Sequence, residues 1–223
     1  VNVLITGAEQ GLGQAVKDIC EQHGWDVYGV PRELLLISSS LKDSIIEFLY
    51  DLPTIDVVVN NFGINHLSWI GHTEPQDEQI LRINVMVPYW VINALVRRGD
   101  VCNVVNVASQ THKVPQRCTS LYAASKAALV QMTRVMAREL APEGWRINVF
   151  CPGKMSDTEM ADLCDKQVLE LRGWSQEEAE KYALALIPMG RFTTTAECAQ
   201  MVMTILEASS YLNGAVIDFT GGI

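Results

Sequence analysis

Short apolar runs alternate with amphipathic stretches along the whole chain. Residues 1–5 are rich in Val, Leu and Ile and stop at Thr6-Gly7, the pattern of a buried parallel strand entering a tight turn. Over 13–22 the apolar positions Ala15, Val16, Ile19 and Cys20 recur at helical spacing, and Gly24 closes the segment. A second strand is expected at 26–30. A third apolar run, 34–37, precedes a helix at 41–49, and a further strand at 55–59 ends in Asn60-Asn61. The same rhythm predicts a long helix over 76–97, a strand at 101–107, a helix over 122–140 and a strand at 146–150. Residues 152–190 interrupt it with polar and helical character, where a substrate lid would fit, and a last strand is expected at 215–219. Such alternation predicts an α/β fold: a Rossmann-like, doubly wound parallel sheet with helices on both faces. No repeat, low-complexity tract or linker divides residues 1–223, so a single domain is expected.

Composition narrows the partners. A net charge of -9 argues against nucleic acid, since little here would release counterions from a phosphate backbone. The apolar runs are short and interrupted, so no span of a hydrocarbon core or signal peptide is expected, and a cytoplasmic location follows. Six cysteines (Cys20, Cys102, Cys118, Cys151, Cys164 and Cys198) are scattered without CxxC or a Cys/His cluster at metal-ligand spacing. They read as reduced and structural, and no metal is expected. Cys118 lies near Tyr122 in sequence but reads as a loop or core thiol.

Where the first strand meets the first helix stands Thr6-Gly7-Ala8-Glu9-Gln10-Gly11-Leu12-Gly13. Glycines there serve a sharp turn, close backbone approach and tight helix packing, and the amides at the helix start can hold a pyrophosphate. Tyr122 and Lys126, four residues apart in Tyr-Ala-Ala-Ser-Lys, share one face if the segment is helical. A tyrosine with an ordinary pKa of about 10 needs a nearby positive charge to serve as a base at neutral pH, and Lys126 would supply it. Ser109 ends a strand at the edge where open parallel sheets bind ligands.

The glycine run resembles the TGxxxGxG of the short-chain dehydrogenase/reductase family. Asn60-Asn61-Phe62-Gly63 resembles that family's NNAG with phenylalanine for alanine, and Asn84, Ser109, Tyr122/Lys126 and Pro152-Gly153 follow in family order over nearly the whole chain. The resemblance implies an NAD(P)(H)-dependent oxidoreductase that moves a hydride between nicotinamide and a carbonyl or alcohol. It implies Tyr122 as acid/base, Ser109 bonding the substrate oxygen, Lys126 also holding the nicotinamide ribose, and Asn84 completing a proton relay. Cofactor contacts are implied at Gly7, Gln10, Gly11, Leu12, Gly13, Asn60, Asn61, Gly63, Tyr122, Lys126, Pro152 and Gly153, and at Thr158, one residue displaced from the family threonine.

After the second strand, Pro31 stands where NAD-preferring relatives usually have Asp, and Arg32 where NADP-preferring ones often have arginine, which favours NADP(H) over NAD(H). Against this, Gln10 replaces a basic residue and Glu9 adds negative charge. Only Glu33 separates Arg32 from the next apolar run, where relatives insert a helix, so the adenine side looks trimmed; Ser38 replaces a common aspartate. The substrate wall is expected from 61–69, 110–121 and 154–188; His66 and His112 lie in it without an assigned role. Reduction of 3-oxoacyl thioesters and oxidation of sugars, polyols or alcohols both remain open. A cofactor-binding regulator or scaffold without turnover is the alternative. The family commonly pairs its two long helices, here 76–97 and 122–140, in tetramers, so a homo-oligomer, tetramer or dimer, is implied.

Overall fold

A computed structural model of the chain describes residues 1–36, 41–72 and 77–223. Ser38 and Gln76, used above, lie outside them. Six parallel strands form one sheet: β1 (Asn2–Thr6), β2 (Asp26–Val30), β3 (Val57–Asn60), β4 (Asn103–Val107), β5 (Arg146–Pro152) and β6 (Val216–Phe219). Their order is β2-β1-β3-β4-β5-β6, so the winding reverses between β1 and β3 and leaves a crevice at their carboxyl ends. Val3, Ile5, Val57 and Val59 face one buried layer, and Leu4, Val58 and Val104 the other. Central strands buried on both faces have no polar side to show, which explains their unbroken apolar runs.

The helices are α1 (Gly11–Gln22), α2 (Arg32–Leu36), α3 (Leu41–Tyr50), α4 (Asp77–Leu81), α5 (Val87–Arg98), α6 (Ser120–Leu140), α7 (Glu159–Arg172), α8 (Gln176–Ala185) and α9 (Thr195–Glu207). One layer joins α1 and α9, with Val16, Cys20, Cys198 and Val202 in its core; the other packs α3, α5 and α6 around Leu49, Val91, Leu95 and Met136. Arg98 ties α5 to the end of α3 through Leu49 and Leu52 carbonyls and ion-pairs with Asp100 at 2.7 Å. The 152–190 interruption is a helical pair, α7 and α8, the second opened by a Ser175/Glu178 capping box.

Several expectations are corrected. Arg32 and Glu33 do not lead straight into an apolar run without a helix: they open the short α2, which buries Leu35. The helix over 76–97 is not uniform, because Arg82–Met86 between α4 and α5 is a π turn. Its buried positions explain the widening. Ile80, Asn84, Pro88 and Ile92 form one row, and Ile83, Val87, Val91 and Leu95 another, each at four-residue intervals. Such rows drift off one face at 3.6 residues per turn, and a wider turn restores some of the lost phase. By length and composition, Asp77–Arg98 is also apolar enough to cross a membrane (22 residues, hydropathy 1.3), contrary to the reading of the runs as too short, but half of it is buried in the core.

Candidate active site

The carboxyl ends of β1 and β3 are stitched together by side chains. Thr6 Oγ1 accepts hydrogen bonds from the amides of Asn61 and Phe62, both 3.0 Å, and Asn61 Nδ2 donates to the carbonyls of Thr6 (3.3 Å) and Gly7 (3.2 Å). A Cβ at position 13 would lie 1.8 Å from the Gly7 oxygen, and Gly7 and Gly11 hold φ of +71° and +54°. The turn therefore closes only with glycine at these places. Gln10, at the N-cap of α1, makes no capping side-chain bond, and no acidic residue stands in the first turn. The first-turn amides are left for an anion.

Leu12 sends its side chain into the core, leaving only its backbone to the cleft, and Gly11 faces the Thr158 methyl, 3.5 Å from a Cβ position. The Thr158 hydroxyl is engaged at 3.1 Å by the Ala161 amide as the cap of α7. Arg32 is exposed at the start of α2. Gly153 donates its amide to Phe219 O at 2.9 Å beside the unpartnered, buried Gln110 Oε1. These features fit a dinucleotide: a glycine cradle, an uncapped helix start and a neighbouring orphaned acceptor.

Gly63 links this cradle to the chemistry. A Cβ there would meet Asn84 Oδ1 at 3.1 Å and Lys126 Nζ at 3.3 Å, so glycine lets the loop pass over the ammonium without displacing either group. Lys126, on α6, donates to Val107 O at 3.0 Å and sits 5.7 Å from the Tyr122 ring centre. Tyr122 and Lys126 are both buried, and the Ser109 hydroxyl hydrogen-bonds the phenol. Ser109 Oγ also accepts from the Thr111 amide at 3.2 Å. Asn84, aimed by the π turn, donates to Ile64 O (2.9 Å) and Ser125 Oγ (3.0 Å) and accepts from Ile64 N (2.9 Å). Its side chain thus fixes the loop after β3.

Burial dominates the electrostatics of this corner: it pushes Tyr122 up to about 12, and Ser109 offsets that only in part. Burial also brings Lys126 down to about 8. A dry site penalises both charged forms.

Several participants escaped sequence reasoning. Asn60 Nδ2 donates to Asn106 Oδ1 and Asn106 Nδ2 to Thr133 Oγ1, each at 2.9 Å, so a polar row inside the core aligns β3, β4 and α6; Asn60 Oδ1 stays unpartnered. Gln167 on α7 accepts from the Leu67 amide at 3.2 Å and lies 2.8 Å from His66 Nδ1, while Asn65 Nδ2 donates to Cys164 Sγ at 3.4 Å. Cys118 holds a left-handed backbone (φ +66°) and its carbonyl accepts from Ser68. These contacts join residues tens of positions apart, which no local pattern announces. His112, Cys151 and Asp218, which show no metal-ligand spacing in the sequence, bring their ligand atoms within 4.8 Å of one another in space.

A family model described as enoyl-(acyl carrier protein) reductase matches residues 2–223. The chain belongs to the short-chain dehydrogenase/reductase family. A 3-oxoacyl-[acyl-carrier-protein] reductase of Aquifex aeolicus is 30% identical over 231 residues, covering 99% of this chain and 86% of that one. Glucose 1-dehydrogenase 2 of Bacillus subtilis is 24% identical over 251 residues, 99% and 93% of the two chains. A polyketide ketoreductase solved with NADPH shares the fold with a TM-score of 0.85 at 21% identity, over 99% and 95%. As a short-chain dehydrogenase/reductase the protein is an NAD(P)(H)-dependent oxidoreductase.

Proposed function

We propose that the protein reduces a small carbonyl compound, with Tyr122 giving the proton to the substrate oxygen. The observation that carries this reading is the meeting of Tyr122, Ser109 and Lys126 in a buried corner that Gly63 joins to the glycine cradle. Bound nicotinamide supplies the hydride. Tyr122, protonated at neutral pH, is set up to donate: as hydride reaches the carbonyl carbon, its proton goes to the oxygen. Ser109 holds that oxygen, and Lys126 faces the phenolate that forms. Asn84 acts in this reading by holding the loop that carries Gly63, with Ser125 beside it. The cofactor would rest on Gly7, Gln10, Gly11, Leu12 and Gly13, with Asn60, Asn61, Gly63, Pro152, Gly153 and Thr158 around it. The α7–α8 pair serves as the substrate lid within one domain.

Tyr122→Phe should bind reduced cofactor about as well as the parent while carbonyl-dependent oxidation of it falls by at least about a hundredfold, the scale of general acid catalysis. Cofactor fluorescence titration and absorbance kinetics read the two; comparable turnover in the variant would refute the role. The cofactor reading favours NADP(H), supported by the exposed Arg32 just after β2. Arg32→Ala should weaken NADPH about tenfold and leave NADH unchanged, as loss of one charge-assisted phosphate contact would. A cytoplasmic location is supported by six cysteines that are all unpaired, and a homo-oligomer by the apolar side chains left exposed on the long helices.

A further inference from the structure

Beyond the hydride site, three strand ends converge on a second set of groups. His112 follows β4, Cys151 lies in β5 and Asp218 in β6, so parallel pairing places them side by side at the carboxyl edge. His112 Nε2 and Asp218 Oδ1 are 3.0 Å apart, and the other carboxylate oxygen, Oδ2, is held by Lys113 Nζ at 2.6 Å. Cys151 is fully buried, with its sulfur hydrogen-bonded by the Ser109 backbone. All three ligand atoms fall within 4.8 Å of one another.

We propose that His112, Cys151 and Asp218 form a binding site for a thiophilic divalent cation of the zinc type, adjoining Ser109. One nitrogen, one sulfur and one carboxylate oxygen are a borderline-soft donor set, which suits zinc or cobalt and disfavours magnesium or calcium. Ligands at about 2.0–2.3 Å in tetrahedral array stand about 3.3–3.7 Å apart, so the His112–Asp218 pair is nearly at that spacing and small torsions bring the sulfur in. The cation takes the place of the hydrogen bond between His112 Nε2 and Asp218 Oδ1, the imidazole binding through Nε2 with its ring proton on Nδ1, so no proton leaves from this pair. Lys113 keeps Oδ2 and so orients the carboxylate, as an outer partner does. Thiolate and carboxylate together neutralise the two positive charges, and the fourth position opens toward Asp218, the most exposed of the three ligands. The balance is simple: the metal–sulfur bond forms as the Cys151 S–H breaks, and that proton leaves to solvent with no redox change.

Titration of the cofactor-free protein with Co²⁺ tests the site. The expected result is one equivalent bound, with a sulfur-to-cobalt charge-transfer band that Zn²⁺ abolishes, a proton released per metal, and a rise in melting temperature with Zn²⁺ but not Mg²⁺. His112→Ala, on a surface turn, should fold normally and lose more than about tenfold in affinity, the least that removal of even an outer partner costs. Cys151→Ser should lose the charge-transfer band, whereas Cys164→Ser should retain it. Failure to bind, a band that survives in Cys151→Ser, or unchanged affinity in His112→Ala would each overturn the proposal.

Discussion

Lys126 shows at a single residue how function costs stability. Its folded proton is lost near 8, whereas an unperturbed lysine keeps it to 10.5. Between those values the unfolded chain holds more protons than the folded one, so stability rises with pH across that window. Below it the buried ammonium costs on the order of 3 kcal/mol, partly offset by the hydrogen bond to Val107 O. Lys126→Met should therefore gain on the parent at pH 7 and lose that advantage by pH 10, with turnover abolished at both. Denaturant melts at the two pH values would show the gap closing; a pH-independent gap would contradict a charged, buried lysine. Tyr122 contributes with the opposite sign, since a phenol pushed from 10.0 to about 12 makes stability fall as pH climbs between those values.

At the scale of elements, α7 is fastened to the loop after β3 by the Gln167 amide, beside the Asn65–Cys164 contact. Leu67 N–H donates to Gln167 Oε1, which fixes Nε2 as the donor to His66 Nδ1. Gln167→Leu removes both bonds, together about 1–2 kcal/mol. The expected outcome is a rise of about tenfold in substrate KM with little change in melting temperature or cofactor affinity, read by steady-state kinetics. The helical interruption formed by α7 and α8 was legible in the break of rhythm after Pro152, and the strands in their apolar runs, because both are local patterns. Tyr122, Lys126, Ser109 and Gly13 were likewise legible from spacing. Asn106, Gln167 and the trio His112, Cys151 and Asp218 were not, because only strand order brings such distant residues together. The upward push on Tyr122 was hidden for a related reason: helical spacing shows that an amine is near, but not how dry the corner is.

For the whole molecule, the sheet's burial leaves apolar surface on the outer faces of two long helices. Leu81, Met86, Tyr89 and Val135 are each more than a third exposed. Isologous pairing of such faces would cover them in a symmetric assembly. Sedimentation should find a homo-oligomer, and Tyr89→Asp should shift it toward monomer; a monomeric parent at micromolar concentration would count against the pairing. The widened turn at 82–86 also bears on how this chain tolerates changes of length. Residues gained or lost at the tips of that helix leave Asn84 in place. A single insertion between Ile80 and Val87 would instead rotate everything beyond it by about 100°, turning Val91 and Leu95 toward water. Added length is thus confined here to the two ends.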